Sequence, residues 1–222
     1  MAATALAQPP TKREAIVAAA VTCFSRDGFA GTTISAVAQQ AGIGKGTVYE
    51  YFRSKEDLLL DACLWCCQRN QGRVNDLLGG TGTNVHAAGG DAVKSLYQLL
   101  VAVFSVVPTG SQPYTRLFLD LWTVAADQPQ VLAQAQARLR EVYAQWEGVL
   151  TFLYGGGLAQ GVFKPLPDPA MFARLITAVV DGLIWQVPFR PDRTAESLAR
   201  AAADTLLTLL MKDAQRPSEV LA

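Results

Sequence analysis

The chain has 222 residues and a mass of 23.8 kDa, which is long enough for one large or two small domains with a well-buried core. Half of the residues are hydrophobic and 17% are charged, so the composition excludes a highly charged disordered chain. The 19 Lys and Arg residues balance the 19 Asp and Glu residues. The chain lacks the basic excess that attracts nucleic acid by bulk charge, so any contact with nucleic acid would depend on a local site.

No segment has the pattern of a membrane span or an export signal. The longest apolar run, Leu99 to Val107, contains a serine and ends before Pro108, whereas a membrane-spanning helix needs about 20 apolar residues. The first ten residues have no charged stretch followed by an apolar one. We therefore expect a cytoplasmic protein that makes no contact with a membrane.

The cysteines cluster at Cys63, Cys66 and Cys67, with Cys23 apart from them. The three clustered positions share one helical face with Leu59 and Leu60, which favours small buried hydrophobic residues. A zinc site would need a second ligand pair, and only His86 in a glycine-rich stretch is available, so we expect neither a metal nor a cofactor. A thiol redox sensor is the remaining alternative and would need an exposed sulfur with a lowered pKa.

The first 60 residues predict a helix-turn-helix. Thr11 and Glu14 form a capping box before a helix from Lys12 to Asp27 that stops at Gly28. Thr32 and Thr33 offer an N-cap to a short helix that ends at Ala41, where Gly42 supplies a turn with positive φ. A second short helix, Lys45 to Phe52, follows that turn, and Ser54 caps a longer helix that starts at Lys55.

Helical periodicity continues to the end of the chain. Helices are predicted at Asp91 to Val107, Pro113 to Ala126, Pro129 to Tyr154, Pro169 to Val187 and Thr194 to Lys212. Glycine- and proline-rich stretches, including Gly155 to Gly157, are predicted to separate them. No segment alternates with period two for long, so we expect an all-α protein of about nine helices, with a helix-turn-helix head and a larger helical domain.

Three motifs follow one another in the first 60 residues. They are Gly28, Phe29, Thr32 and Thr33; then Ala38, Ala41, Gly42 and Ile43; and then K-G-T-x-Y-x-Y-F-x-S-K-E from Lys45 to Glu56. With these motifs, residues 11 to 60 resemble, without a gap, the DNA-binding domain of TetR-family transcriptional regulators. The resemblance implies a DNA-binding domain over residues 1–55 and an effector-binding and dimerisation domain over residues 56–222.

The helix Lys45 to Phe52 is the expected recognition helix in the DNA major groove. Val48 and Phe52 can pack inward, while Lys45 and Tyr49 share another face. Lys45 can reach a guanine edge or a phosphate, Thr47 a base, and Tyr49 a phosphate. The predicted DNA contacts are Thr33, Gly44, Lys45, Gly46, Thr47, Tyr49 and Lys55. The alternatives are a solvated helix face for this helix and plain capping for Thr33.

Beyond residue 60 the family resemblance implies an architecture but no role for a particular residue. The aromatic residues of the larger domain can line an effector pocket, although core packing is the common role of such side chains. The predicted ligand-binding residues are Trp65, Phe104, Phe118, Trp122, Trp146, Asp181 and Trp185. The polar residues that lie among the aromatic ones of these helices include few cations, which favours a lipophilic neutral or cationic effector. These polar residues are Tyr97, Tyr114, Asp120, Thr123, Tyr143, Thr177 and Asp181. For Asp181, an arginine partner such as Arg174 or Arg116 is favoured over a cationic ligand.

The family resemblance also implies a homodimer whose last two helices form a four-helix interface. Apolar stripes that suit it, or an intrachain core, are Ile176, Val179, Val180 and Leu183, and Leu198, Ala202, Thr205, Leu206 and Leu209. An effector-released repressor of a pseudo-palindromic operator is the leading hypothesis. Catalysis is disfavoured, because the lone His86 lies in a glycine-rich stretch and no nucleophile or metalloprotease motif is present.

Overall fold

The computed structural model describes residues 11–77, 91–105, 113–186 and 195–212. Over these ranges the chain forms nine α-helices and no strand, which confirms the all-α class. The helices are α1 Lys12–Gly31, α2 Ile34–Ala41, α3 Lys45–Tyr51, α4 Lys55–Leu77, α5 Ala92–Ser105, α6 Pro113–Asp127, α7 Pro129–Ala159, α8 Pro169–Gln186 and α9 Ala195–Leu210. Apart from the ends of α1 and α7, the predicted bounds lie within two residues of these.

Local side-chain chemistry sets both ends of α1. At the start, Thr11 Oγ1 accepts the Glu14 N–H at 3.2 Å, and the Glu14 carboxylate accepts the Thr11 N–H at 2.7 Å. These hydrogen bonds from Thr11 hold the pKa of Glu14 below its usual value. At the other end, Gly28 takes φ 74°, which interrupts the helix before one more turn to Gly31. The capping box is therefore confirmed, and the predicted stop at Gly28 is a kink.

The described residues form two compact units that do not follow the predicted boundary at residue 55. One, called unit 1, contains the residues up to Cys66 together with Pro113–Gln136. The other, unit 2, contains Cys67–Gln112 and the chain from Ala137 onward. Helices α4 and α7 each contribute residues to both units. The helix-turn-helix thus shares a compact unit with α6 rather than standing alone.

Unit 1 is built on α1, which packs against α2 and α6. The apolar stripe of α1 is fully buried, as are side chains of α2, α3, α4 and α6 that cover it. These buried residues include Ile16, Ala20, Phe24, Val37, Val48, Leu58, Leu59, Leu117 and Leu121. Cys63 and Cys66 are also buried and Cys67 is half-buried, which agrees with their predicted role as small hydrophobic residues.

In unit 2, α5 packs against α9, and side chains of the second part of α7 contact α8. Tyr154 of α7 packs its ring 5.2 Å from that of Phe172 on α8 and 6.1 Å from that of Phe163. Its hydroxyl donates to the Lys164 carbonyl and accepts the Leu166 N–H, both at 2.8 Å. The buried Tyr154 therefore fixes the segment that links α7 to α8.

The predicted break at Gly155 to Gly157 is wrong, because α7 continues through all three glycines to Ala159. A Cβ atom on Gly157 would overlap the Phe163 ring, which lies directly against the helix backbone. A Cβ atom on Gly155 would meet no atom within 4 Å. The chain turns instead at Gly161, where φ is 73°. Gly157 thus leaves room for the Phe163 ring against the helix backbone. The sequence shows the three glycines but not this packing.

Alanine substitutions in this triplet should change stability in opposite directions. Gly155→Ala should raise the free energy of unfolding by about 0.5–1 kcal/mol, since alanine is the better helix former in an open position. Gly157→Ala should lower it by about 1–3 kcal/mol, because the added methyl must displace the Phe163 ring. Urea unfolding of the two variants measures both changes. Equal stability of the two variants would contradict the packing described for Gly157.

Candidate DNA-binding surface

Helices α2 and α3 are joined by a tight turn centred on Gly42. Thr33 caps α2, and its hydroxyl oxygen accepts the Ala36 N–H at 3.1 Å. Gly42 ends α2 in the left-handed conformation with φ 69°, and the Ile43 N–H donates back to the Ala38 carbonyl at 3.0 Å. The positive φ predicted for Gly42 is therefore confirmed. This arrangement is a helix-turn-helix.

Helix α3 has one buried face and one exposed face. Val48 and the following Phe52 are buried, with exposed fractions of 0% and 4%. Lys45 and Tyr49 are exposed on the other side, where the Lys45 ammonium lies 5.9 Å from the centroid of the Tyr49 ring. Thr47 is half-buried between the two faces. The structure thus leaves lysine and tyrosine side chains together on an open surface.

Two glycines at the start of α3 present bare backbone to solvent. Gly44 is the N-cap of α3, and Gly46 lies in its first turn. A Cβ atom at either position would meet no atom within 4 Å, and neither residue has a positive φ. The packing of the chain therefore gives no reason for glycine at these positions. Glycine at these two positions would allow another molecule to approach the backbone closely.

Lys55, a predicted phosphate contact, uses its ammonium group for contacts within unit 1. Its ammonium donates to the carbonyls of Phe29 at 2.9 Å and Thr32 at 3.1 Å, and it lies 4.2 Å from the centroid of the Phe29 ring. An ammonium has three N–H donors, so two are used internally. Lys55 thus ties the start of α4 to the end of α1, and this role was not foreseen from the sequence.

Helix α6 also holds the end of α1. Asp120 accepts the Phe29 N–H at 2.8 Å, and the Arg116 guanidinium lies 3.5 Å from the same carboxylate oxygen. The guanidinium covers Gly28 at the place where a Cβ atom would be. Arg116 and Asp120 are i and i+4 on α6, a spacing visible in the sequence, but no local signal indicates that they meet α1. Sequence reasoning assigned both residues to the effector domain.

An ion pair braces the inner side of the helix-turn-helix. The Arg13 guanidinium of α1 donates to the Asp61 carboxylate of α4, and it lies 5.2 Å from the centroid of the Phe52 ring. Asp61 is only 8% exposed, so an unpaired charge there would be costly. Arg13 therefore connects α1 and α4 to the residue that closes α3.

The predicted effector residues divide between the two units. Trp65, Phe118 and Trp122 belong to unit 1, whereas Phe104, Trp146, Asp181 and Trp185 belong to unit 2. Phe104 and Phe118 are buried, while Trp122 and Trp185 are 42% and 36% exposed. Trp65 and Trp146 are half-buried. The structure does not gather the seven side chains within one unit.

The arginine partner expected for Asp181 is wrong. Asp181 accepts a hydrogen bond from the Tyr143 hydroxyl at 2.6 Å. Arg174 lies 3.8 Å from Glu147 instead, and Arg116 pairs with Asp120 in unit 1. Burial raises the pKa of Asp181, and the hydrogen bond from Tyr143 offsets part of this rise. The contact between α7 and α8 determines this partner. The sequence of α8 alone does not predict that Asp181 meets Tyr143.

Within the described ranges, no three His, Cys, Asp or Glu side chains are grouped so that they could hold a metal ion. His86 lies outside those ranges. No helix in the described part of the chain is both long and apolar enough to cross a membrane.

Comparison with protein families decides the identity of the helix-turn-helix. Residues 16–62 match the family described as bacterial regulatory proteins, tetR family, and residues 93–212 match the BetI-type transcriptional repressor, C-terminal family. The chain belongs to the TetR family of transcriptional regulators. The family predicted from the sequence is therefore confirmed over both the DNA-binding region and the larger domain.

Relatives match the TetR-family chain over different lengths. The regulator BetI of Paraburkholderia xenovorans is 28% identical over 174 residues, which cover 78% of this chain and 79% of that protein. The regulator YerO of Bacillus subtilis is 48% identical over 52 residues, which cover 23% of this chain and only 18% of that protein.

Solved structures share the TetR fold. A TetR regulator from Haloarcula marismortui has a TM-score of 0.70 at 20% identity, over 90% of this chain and 98% of that one. The ketosteroid transcriptional regulator KstR2 of Mycobacterium tuberculosis has a TM-score of 0.56 at 22% identity, over 93% and 98%.

Removal of the Asp120 carboxylate tests whether α6 holds the end of α1. Asp120→Ala should lower the free energy of unfolding by about 1.5–3 kcal/mol, because the Phe29 N–H loses a charged acceptor. Asp127→Ala, at the exposed end of the same helix, should change it by less than about 0.5 kcal/mol. Chemical denaturation measures both values. If Asp120→Ala has the same free energy of unfolding as the wild type, the hydrogen bond to Phe29 does not stabilise the end of α1.

Proposed function

We propose that this TetR-family regulator is a repressor that binds a pseudo-palindromic operator as a homodimer and is released by a small effector. The observation that carries the proposal is the exposed face of α3, where Lys45 and Tyr49 stand beside the bare backbone of Gly44 and Gly46. A short helix with one buried and one open face fits the major groove of DNA. The operator is in the cytoplasm, so the regulator acts there.

Each predicted contact has a definite role at the duplex. Lys45 donates to a guanine edge or a phosphate, the Tyr49 hydroxyl donates to a phosphate, and Thr47 contacts a base. Gly44 and Gly46 let the sugar-phosphate backbone approach the start of α3. Thr33 adds a hydroxyl at the exposed start of α2, where helix N–H groups attract phosphate.

Lys55 supports this surface in a different way. Two of its N–H donors hold the end of α1, so at most one is left for a phosphate. Its main contribution to DNA binding is the placement of α4 against the helix-turn-helix. The double role assigned to Thr33, as cap and as phosphate contact, is compatible with its geometry because an N-cap hydroxyl keeps its own O–H donor.

Exposed apolar stripes on α8 and α9 support the homodimer. On α9 the buried residues Ala199, Ala203 and Leu207 lie on one face. The predicted stripe lies beside that face, with Leu198, Ala202 and Leu206 half-buried and Leu209 68% exposed. On α8 the exposed stripe is Met171, Leu175 and Val179, at 44%, 57% and 38%. Ile176, predicted for this stripe, is instead part of the core at 2% exposure. Two such helices from each copy form a four-helix interface.

Effector release requires a ligand that binds two conformational states with different affinity. Helices α4 and α7 contribute residues to both units, so either helix can couple a change in one unit to the other. A lipophilic effector is supported by the apolar composition and by the name of the solved structure KstR2, a ketosteroid regulator. The thiol-sensor alternative needs an exposed sulfur, whereas Cys63 and Cys66 are buried and Cys67 is half-buried.

A gel-shift titration against DNA flanking the regulator's own gene tests the proposed DNA surface. The wild type should shift a specific duplex, and Lys45→Ala with Tyr49→Ala should weaken binding by about tenfold or more. Gly46→Ala should also weaken it, while its free energy of unfolding should rise by about 0.5–1 kcal/mol. A stable Gly46→Ala protein with full affinity would exclude close approach of DNA at this residue.

The control for this titration is Gly72→Ala, an exposed glycine of α4 with no atom within 4 Å of its Cβ position. It should stabilise the helix in the same way and leave DNA affinity unchanged. If no flanking duplex is shifted, selection from random DNA sequences follows. Failure to enrich any sequence would refute operator binding by α3.

The dimer interface is tested by a charge on the exposed stripe of α8. Leu175→Glu should weaken self-association by about tenfold or more, because a buried interface carboxylate is costly. Leu119→Glu, on α6, is the matched control, since Leu119 is 51% exposed but lies outside both stripes. Sedimentation velocity over a range of concentrations measures the effect. A dimer equally stable in both variants would place the interface elsewhere.

A further inference from the structure

Glu50 lies at the centre of the exposed face of α3. It follows Val48 by two residues and precedes Phe52 by two, and these are the buried side chains that anchor the helix. Two residues of an α-helix turn the chain by about 200° around the helix axis. Glu50 therefore projects almost directly away from the buried face, and its side chain is exposed.

Two exposed tyrosines flank Glu50 on opposite sides of the helix. Tyr49 precedes it and Tyr51 follows it, so each side chain projects about 100° to one side of the carboxylate. Their exposed fractions are 50% and 42%. Gly46 lies one turn before Glu50 on nearly the same line and has no side chain. The middle of the exposed face of α3 therefore presents a carboxylate, with a phenol on either side.

No cation of the folded chain offsets the charge of this carboxylate. Within the described ranges, no lysine or arginine forms an ion pair with Glu50, whereas the exposed Asp27 pairs with Arg26. Arg53 is also exposed, three residues after Glu50, but does not pair with it. DNA phosphates repel a carboxylate. Glu50 therefore opposes DNA binding by α3 unless a hydrogen-bond donor of the DNA compensates for the repulsion.

Base edges in the major groove are the place where DNA offers such a donor. A carboxylate is an acceptor only, so it needs a base edge that donates. Guanine and thymine present acceptors there, and adenine presents its N6 amine beside the N7 acceptor. Cytosine presents the N4 amine as a donor without an acceptor on the same edge. Cytosine is therefore the base whose edge suits a carboxylate best.

We propose that Glu50 reads a cytosine in each half of the operator, with its carboxylate accepting a hydrogen bond from the N4 amine. When the exposed face of a helix enters the major groove, its centre faces the base edges and its flanks face the two sugar-phosphate walls. Tyr49 and Tyr51 then lie toward those walls, where phenol hydroxyls donate to phosphates. The inference rests on the proposed operator binding by α3, and it names a residue that sets the sequence preference.

Selection from random DNA sequences tests this assignment on the full-length wild type, Glu50→Ala and Glu50→Gln. The wild type should select a cytosine in each half-site that Glu50→Ala no longer selects, while the other positions of the motif stay the same. Glu50→Gln should select adenine there, because a glutamine amide pairs with adenine N6 and N7. Both variants should melt at the wild-type temperature, since Glu50 is exposed.

Gel-shift titrations measure how strongly the affinity depends on this contact. Replacement of the selected C·G pairs by T·A should weaken wild-type binding by about tenfold or more, because thymine O4 is an acceptor that faces the carboxylate. The same replacement should change the affinity of Glu50→Ala by less than about twofold.

A duplex without the motif tests whether the carboxylate lies close to DNA. Glu50→Ala should bind this duplex about twofold or more tightly than Glu141→Gln does, because only the first variant removes a charge that phosphates repel. Glu141 is exposed on α7 in unit 2, so its substitution is a control with the same change in net charge. Equal affinity of the two variants would place Glu50 away from the DNA and refute the inference.

The outcomes of the selection separate this inference from the proposed function. If the wild type and Glu50→Ala select the same motif, Glu50 reads no base, while operator binding by α3 stands. A Glu50-dependent preference for a base other than cytosine also refutes the inference. If the wild type selects no sequence at all, operator binding by α3 is refuted as well.

Discussion

The end of α1 is the point on which unit 1 depends. Gly28 interrupts the helix, so the backbone groups of Phe29 and Thr32 need partners from other elements. Asp120 of α6 accepts the Phe29 N–H, and Lys55 of α4 donates to the carbonyls of both residues. The Phe29 carbonyl also accepts the Thr32 N–H at 3.3 Å, so Lys55 adds a second hydrogen bond there. As a result, this corner joins α1, α4 and α6 just before α2 begins at Ile34.

This corner explains why the helix-turn-helix does not form a compact unit by itself. Its hydrogen-bond partners include a residue of α6 that is distant in sequence, and α6 packs along α1. Any change in the position of α6 must therefore either move the end of α1 or break the bond to Phe29. The bond between Asp120 and Phe29 is therefore a direct mechanical connection between α6 and the helix that leads into the helix-turn-helix.

Asp61 is buried and Asp181 is half-buried, and the two carboxylates have different kinds of partner. Asp61 is neutralised by Arg13 across α1 and α4, which suits a permanent structural contact. Asp181 has the Tyr143 hydroxyl, which satisfies an oxygen without cancelling the charge. The first arrangement is an ion pair, whereas the second is a hydrogen bond from a neutral hydroxyl.

The sequence by itself determined the family, the nine helices of the described ranges and the turn at Gly42, because capping boxes, apolar periodicity and glycine conformations are local properties. It could not determine that α7 continues through Gly155 to Gly157, since the reason is the Phe163 ring packed against that backbone. It also could not assign Tyr143 to Asp181 or Lys55 to the end of α1. Those partners come from different helices, and only tertiary packing decides which charged and polar groups meet.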